Sequence, residues 1–134
     1  MRALLFFLAL GAPALADDFL HELESLDPGE GENLAKSGVA RLPVEDAAGI
    51  ERALAGHAVW VHIDLDIVRP EEMFAVSHPV PGGIRFDAFE QLLARIAGAS
   101  RIAGLALCGY QPAKDPERVL PAQIARAVAP LLAS

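Results

Sequence analysis

A chain of 134 residues, 53% of them apolar, holds enough material for one domain with a modest core and is not the composition of a disordered tail. Its formal net charge of -7 argues against a nucleic-acid partner, because phosphate binding needs clustered basic residues. That charge suits a cation or plain solubility, and the lone Cys108 excludes an intramolecular disulfide and a multi-thiolate zinc motif.

Residues 1–16 carry a basic start, an apolar run and a small-residue A-L-A ending at Ala16, the composition of a secretory signal. The run is too short to span a bilayer, so no membrane partner is expected. The alternative is a helix of the domain ended by Gly11 and Pro13, which makes the protein cytoplasmic. Later motifs favour the helix; a signal would make the chain a small exported protein.

Residues 17–26 suit a short helix or a strand. Turn chemistry at residues 27–30 leads to one or two helical turns at 30–36, closed by Gly38. A short strand at 39–42 and a helix at 44–54 follow, with Gly56 placed to end the helix.

The next stretch is the most informative: Val59-Trp60-Val61-His62-Ile63-Asp64-Leu65-Asp66-Ile67-Val68. It is apolar and β-branched, with acids at alternate positions. Residues two apart on a strand share a face, so His62, Asp64 and Asp66 are expected on one side. Successive same-face positions lie roughly 6.5–7 Å apart, which lets two carboxylates reach a common ion. Without a cation, each carboxylate would raise the other's pKa.

Residues 69–83 then form a long irregular segment with Pro70, Pro79, Pro81 and a Gly82-Gly83 pair, and loops of that length tend to be functional. Asp87 and Glu90 have capping-box spacing, with Asp87 as the cap of a helix whose apolar face is Phe89, Leu92, Leu93 and Ile96. Residues 101–108 suit a strand buried on both faces. The last helix spans about residues 120–132, with Pro121 in its first turn and Pro130 kinking or ending it. Strands alternating with helices indicate an α/β domain with a mainly parallel sheet between helical layers. Ligands in such sheets bind beyond the strands' carboxyl ends, where Asp64 and Asp66 fall.

Taken bare, D-x-D is a weak motif, because strand-end acids commonly cap the next turn or sit solvated. His62 could be a ligand, a base or a hydrogen-bonded core histidine, and His78 could reach a pocket from its Pro-rich loop. His57 reads as loop surface. His21-Glu22 lacks the second histidine of a zinc metallopeptidase helix, and no nucleophile elbow, phosphate loop or dinucleotide fingerprint occurs. Cys108 reads as a small core residue without a local partner.

V-H-I-D-L-D-I-V-R-P followed by A-V-S-H-P-V-P-G-G-I-R-F resembles the signature of the arginase/agmatinase/formiminoglutamase (ureohydrolase) family, S-x-D-x-D-x-x-D-P and then P-x-x-G-G-L. The resemblance extends from about Ser25 to the end of the chain. It implies a three-layer α/β/α fold with a binuclear manganese site at the sheet's carboxyl edge, where Asp64 and Asp66 would be metal ligands. His62 and His78 would be supporting groups, and Gly82 and Gly83 would shape the loop. It further implies water activation by the metal pair, attack on a guanidino or formimino carbon, a small cationic substrate and frequent oligomerisation.

Several residues depart from the pattern. The upstream histidine and the D-x-H-x-D motif that supply other ligands do not occur, Arg69 replaces the third acid, and His62 replaces the serine. Where an E-x-N-P motif would stand, the chain reads Gly109-Tyr110-Gln111-Pro112. Two carboxylates do not complete a binuclear octahedral site. The expectation is therefore the C-terminal part of a ureohydrolase-like domain, with no catalytic residue assignable and little or no hydrolysis by the isolated chain. A non-catalytic remnant that binds a partner is the alternative.

Overall fold

The acid-bearing run is a strand only as far as Asp64. In the computed structural model, which describes residues 4–10, 19–22, 32, 36, 40–42, 46–79 and 82–133, the elements run in this order. They are β1 (Leu4–Leu10), β2 (Phe19–Glu22), β3 (Ala40–Arg41), α1 (Ala47–Leu54), β4 (Ala58–Asp64), α2 (Phe86–Ala99), β5 (Arg101–Cys108) and α3 (Leu120–Leu132). Single 3-10 turns occupy Leu65–Ile67 and Pro112–Lys114, and Glu32 and Lys36 are helical. The turn expected at residues 27–30, Gly38 and Pro81 lie outside the described residues.

The sheet has the order β3-β2-β1-β4-β5. β4 and β5 are parallel, as are β2 and β3, whereas β1 runs antiparallel to both its neighbours. The α/β class stands, with β1 as the antiparallel member of a mixed sheet. The helix expected in residues 1–16 is corrected to a strand over Leu4–Leu10. A seven-residue apolar run has no periodicity that separates the two forms, and pairing of Phe7 with Val61 and of Leu5 with His21 gives its backbone partners on both sides.

Val59, Val61 and Ile63, the inward face of β4, are fully buried in one core with residues of α1, α2 and α3. α1 contributes Ile50 and Leu54; its first turn is capped by Asp46, whose Oδ1 accepts from Gly49 N–H at 2.9 Å. α2 contributes Phe86, Phe89, Leu92, Leu93 and Ile96, the i, i+3, i+4 stripe of an amphipathic helix. α3 contributes Leu120, Ile124, Val128 and Leu131. It passes through Pro130 and ends two residues later at Leu132, where few further N–H bonds remain to lose. No helix among the described residues is long and apolar enough to cross a membrane.

The expected cap of α2 is also corrected. The helix begins at Phe86, one residue before Asp87, which sits in the first turn and accepts from Ala88 N–H and Arg85 Nε. The first helical N–H is capped from a distance, since Phe86 N–H donates to Glu72 Oε2 at 2.9 Å. Spacing within the helix could not show a partner fourteen residues upstream.

Candidate metal centre

At the carboxyl end of β4, Asp64 Oδ1 accepts from Asp66 N–H at 3.3 Å, and the backbone turns into the 3-10 segment. The chain thereby leaves the extended form in which alternate residues share a face. Leu65, Asp66 and Ile67 are all buried, so the expected single strand face carrying His62, Asp64 and Asp66 holds only for the first two. A short acid competing for the next backbone donor ended the strand two residues early.

The two carboxylates nevertheless remain neighbours. Asp66 is only 5% exposed, and its Oδ1 has no hydrogen-bond partner among the described residues. Burial first, and then the charge of Asp64, push its pKa up from 3.8 to about 6. An unpartnered, desolvated carboxylate oxygen beside a second acid is costly unless a proton or a cation neutralises it.

The half-buried His62 lies on the Asp64 face, two residues back, and β5 runs parallel in the register Asp64–Cys108. That pairing brings Cys108 Sγ to 3.4 Å from His62 Nε2, while the thiol also donates to Ile63 O at 3.3 Å. Cys108 is exposed, not a core residue. Burial of the sulfur first, and then Asp64, push the thiol pKa up, which keeps it protonated and a poor nucleophile. Its partner is invisible in local sequence because the two lie 46 residues apart; the common end of two adjacent parallel strands was the available signal.

The Pro/Gly loop folds back onto the turn that carries Asp66. Ile84 N–H donates to Ile67 O at 2.9 Å, and Arg69 N–H donates to Ile84 O at 3.0 Å. Gly83 is needed at that crossing: a Cβ there would lie 2.5 Å from Arg69 N and 2.7 Å from Ile67 O. Gly82, at φ +91°, makes the preceding bend. Arg69, at the signature's third acid position, donates through Nε to Glu72 Oε2 at 2.6 Å and so serves the loop. His78 is exposed, and no hydrogen bond joins it to either aspartate among the described residues. The loop before it is tied to the end of β5: Ser77 N–H donates to Gly109 O at 3.2 Å, and Gln111 Nε2 donates to Ser77 Oγ at 2.8 Å.

Two carboxylates thus stand at the sheet's carboxyl edge, and the G-G loop crosses the backbone that follows them. The arginase-family sequence profile matches residues 26–134. The chain belongs to the arginase family. Solved arginases share its fold: that of Bacillus subtilis superposes with a TM-score of 0.72 at 21% identity, covering 87% of this chain and 44% of the other. Entamoeba histolytica arginase, crystallised with L-ornithine, gives 0.71 at 16% identity over 87% and 43%. A hypothetical agmatinase from Burkholderia thailandensis gives 0.67 at 18% identity over 86% and 37%. The chain thus spans about two fifths of the length of the solved arginases it matches. No curated protein matches its sequence.

In this arginase-family chain the donors differ from a complete ligand set. Among the described residues, no three His, Cys, Asp or Glu side chains are grouped to hold an ion. Gly109, where the E-x-N-P motif would begin, has φ +94°, and a Cβ there would collide with Asp64 Oδ1. The position therefore brings backbone, not a second carboxylate, close against the acid.

Proposed function

We propose that this chain carries the carboxylate half of a manganese centre in a ureohydrolase, an enzyme cleaving a C–N bond of a guanidino or formimino substrate. The supporting observation is Asp66 Oδ1, a buried carboxylate oxygen with no hydrogen-bond partner among the described residues, beside Asp64 at the sheet's carboxyl edge. Both residues are hard oxygen donors of the kind manganese prefers, so they fit the ion in type. They do not fit it in number, since six-coordinate geometry needs further donors that the described residues do not group there. When bound, the ion would supply Lewis-acid activation of water near neutral pH.

The chain's own part is to hold position and charge. Asp64 fixes the turn through Asp66 N–H, and the Gly83 crossing anchors the backbone on which Asp66 sits. The local negative charge would draw a cationic guanidino group towards the edge.

The absence of a grouped ligand triad among the described residues favours a second reading, a non-catalytic relative that binds a partner. Calorimetric titration with Mn²⁺ separates the two. Micromolar binding that disappears in Asp64→Ala supports the metal centre, and no binding supports the second reading. Urea release from arginine or agmatine by the isolated chain is expected to be at or near background; robust turnover would show that two carboxylates and unrecognised donors suffice.

A further inference from the structure

We propose that the free edge of β5 pairs with the same edge of a second copy of this chain, closing a two-fold dimer through one continuous sheet. β5 is the last strand in the order β3-β2-β1-β4-β5, and among the described residues no strand lies beyond it. None of its eight residues is buried, although the strand carries no charge after Arg101. A parallel strand of that composition ordinarily has cover on both faces and a neighbour on each side. A free edge leaves a row of backbone N–H and C=O groups open to another chain, and proteins guard such edges with charge, proline or shortness. β5 has none of these guards beyond Arg101 at its first residue. The irregularity at Val59/Trp60 affects only the amino end and leaves Gly104–Cys108 in regular register.

The side chains at this edge suit a continued sheet. Leu107, in register with the buried Ile63, is 40% exposed, and Trp60 on the other face is 43% exposed, so both faces keep apolar surface there. Gly104 lies against the Trp60 ring, where a Cβ would strike it, and Ala106 follows on that face, so the outer surface of β5 is low and flat.

Charge selects a second copy in antiparallel orientation. Arg101, at the amino end of β5, is exposed and has no ion-pair partner among the described residues. Asp64 stands in register with Cys108 at the carboxyl end. A two-fold pairing centred on Leu105 carries Arg101 of each copy to the Cys108 end of the other. Adjacent strands lie about 4.8 Å apart, so Arg101 and the second copy's Asp64 stand two spacings apart, roughly 10 Å, within the joint reach of their side chains. The axis makes this contact twice, whereas a parallel pairing in register would set Arg101 beside Arg101. Because the same edge is used on both copies, the contact closes at a dimer and does not propagate into a fibre. Asp64 enters only as a charge, and the pairing needs no metal.

The experiment measures the mass of the reduced full-length chain by sedimentation equilibrium in EDTA, over about 1–100 μM. The expected result is a monomer–dimer equilibrium that shifts towards monomer as salt is raised. Arg101→Glu sets a like charge against Asp64 and should weaken the dimer about tenfold or more. Leu107→Lys places a guarding charge on the edge and should do the same. Circular dichroism checks that each variant is folded; Arg101 is exposed, so Arg101→Glu decides if Leu107→Lys fails to fold. A monomer across the whole range, aggregates without a defined dimer, or a dimer unchanged in either folded variant would overturn the proposal. The measurement is made without metal, so a monomer leaves the manganese reading standing, and a dimer that binds no Mn²⁺ sinks that reading alone.

Discussion

At Asp66 the surrounding protein resists the ionised carboxylate, because burial and the Asp64 charge both favour the proton. Its folded pKa, about 6, lies above the ordinary 3.8, so stability falls as pH rises through that interval and the loss is complete above it. Asp66→Asn removes the charge and should raise the metal-free thermal midpoint at pH 7 by about 5 °C or more. Near pH 4, where the wild-type group is mostly protonated, the gain should vanish; a midpoint unchanged at pH 7 would mean that water already solvates the carboxylate. Gly83 presents the opposite kind of constraint, steric instead of electrostatic. Gly83→Ala forces a methyl group against Arg69 N and Ile67 O and should cost about 1–3 kcal/mol in chemical denaturation. That variant should also weaken Mn²⁺ binding, since the Ile67–Arg69 segment it displaces directly follows Asp66.

Among the elements, β4 and α2 show how far local pattern reaches. The alternation through residues 59–64 marks a strand, and the apolar stripe from Phe86 to Ile96 marks a helix; both are present. Their ends were set by side-chain acceptors that the apolar period does not show. Asp64 ends β4 by accepting a backbone donor, and Glu72 starts α2 by accepting Phe86 N–H while it pairs with Arg69. The Arg69 hydrogen bond first, and then the Phe86 N–H, hold the Glu72 carboxyl below its usual value. A depressed carboxylate contributes stability above its unfolded pKa and loses it as pH falls through the folded value. Glu72→Gln should therefore lower the thermal midpoint at pH 7 by a few degrees, with the deficit shrinking below the unfolded value of about 4.3. A deficit independent of pH would assign the effect to the loop's packing and not to the charge.

Over the whole molecule, the three helices among the described residues share one core with Val59, Val61 and Ile63, while Trp60, His62 and Asp64 occupy the other side of β4. Trp60 is 43% exposed there. His62 and Asp64 therefore sit on the side of β4 away from that core, and Asp66 on the turn that follows. On the proposed reading, the ends of β4 and β5 are, among the described residues, the part of a metal centre that this chain supplies. This is why the isolated chain is expected to bind metal without turning over substrate.

Sequence by itself was sufficient for the family, the α/β class, the two strands β4 and β5 and the helices α1, α2 and α3, although β5 was expected to be buried on both faces and has no buried residue. These follow from period, turn residues and a signature, all carried by neighbours along the chain. Tertiary structure decided that Leu4–Leu10 is a strand, that Asp66 is buried on a turn, and that Cys108 meets His62. Each depends on pairing across tens of residues, where backbone bonding, desolvation and register act between segments whose local patterns hold no record of one another.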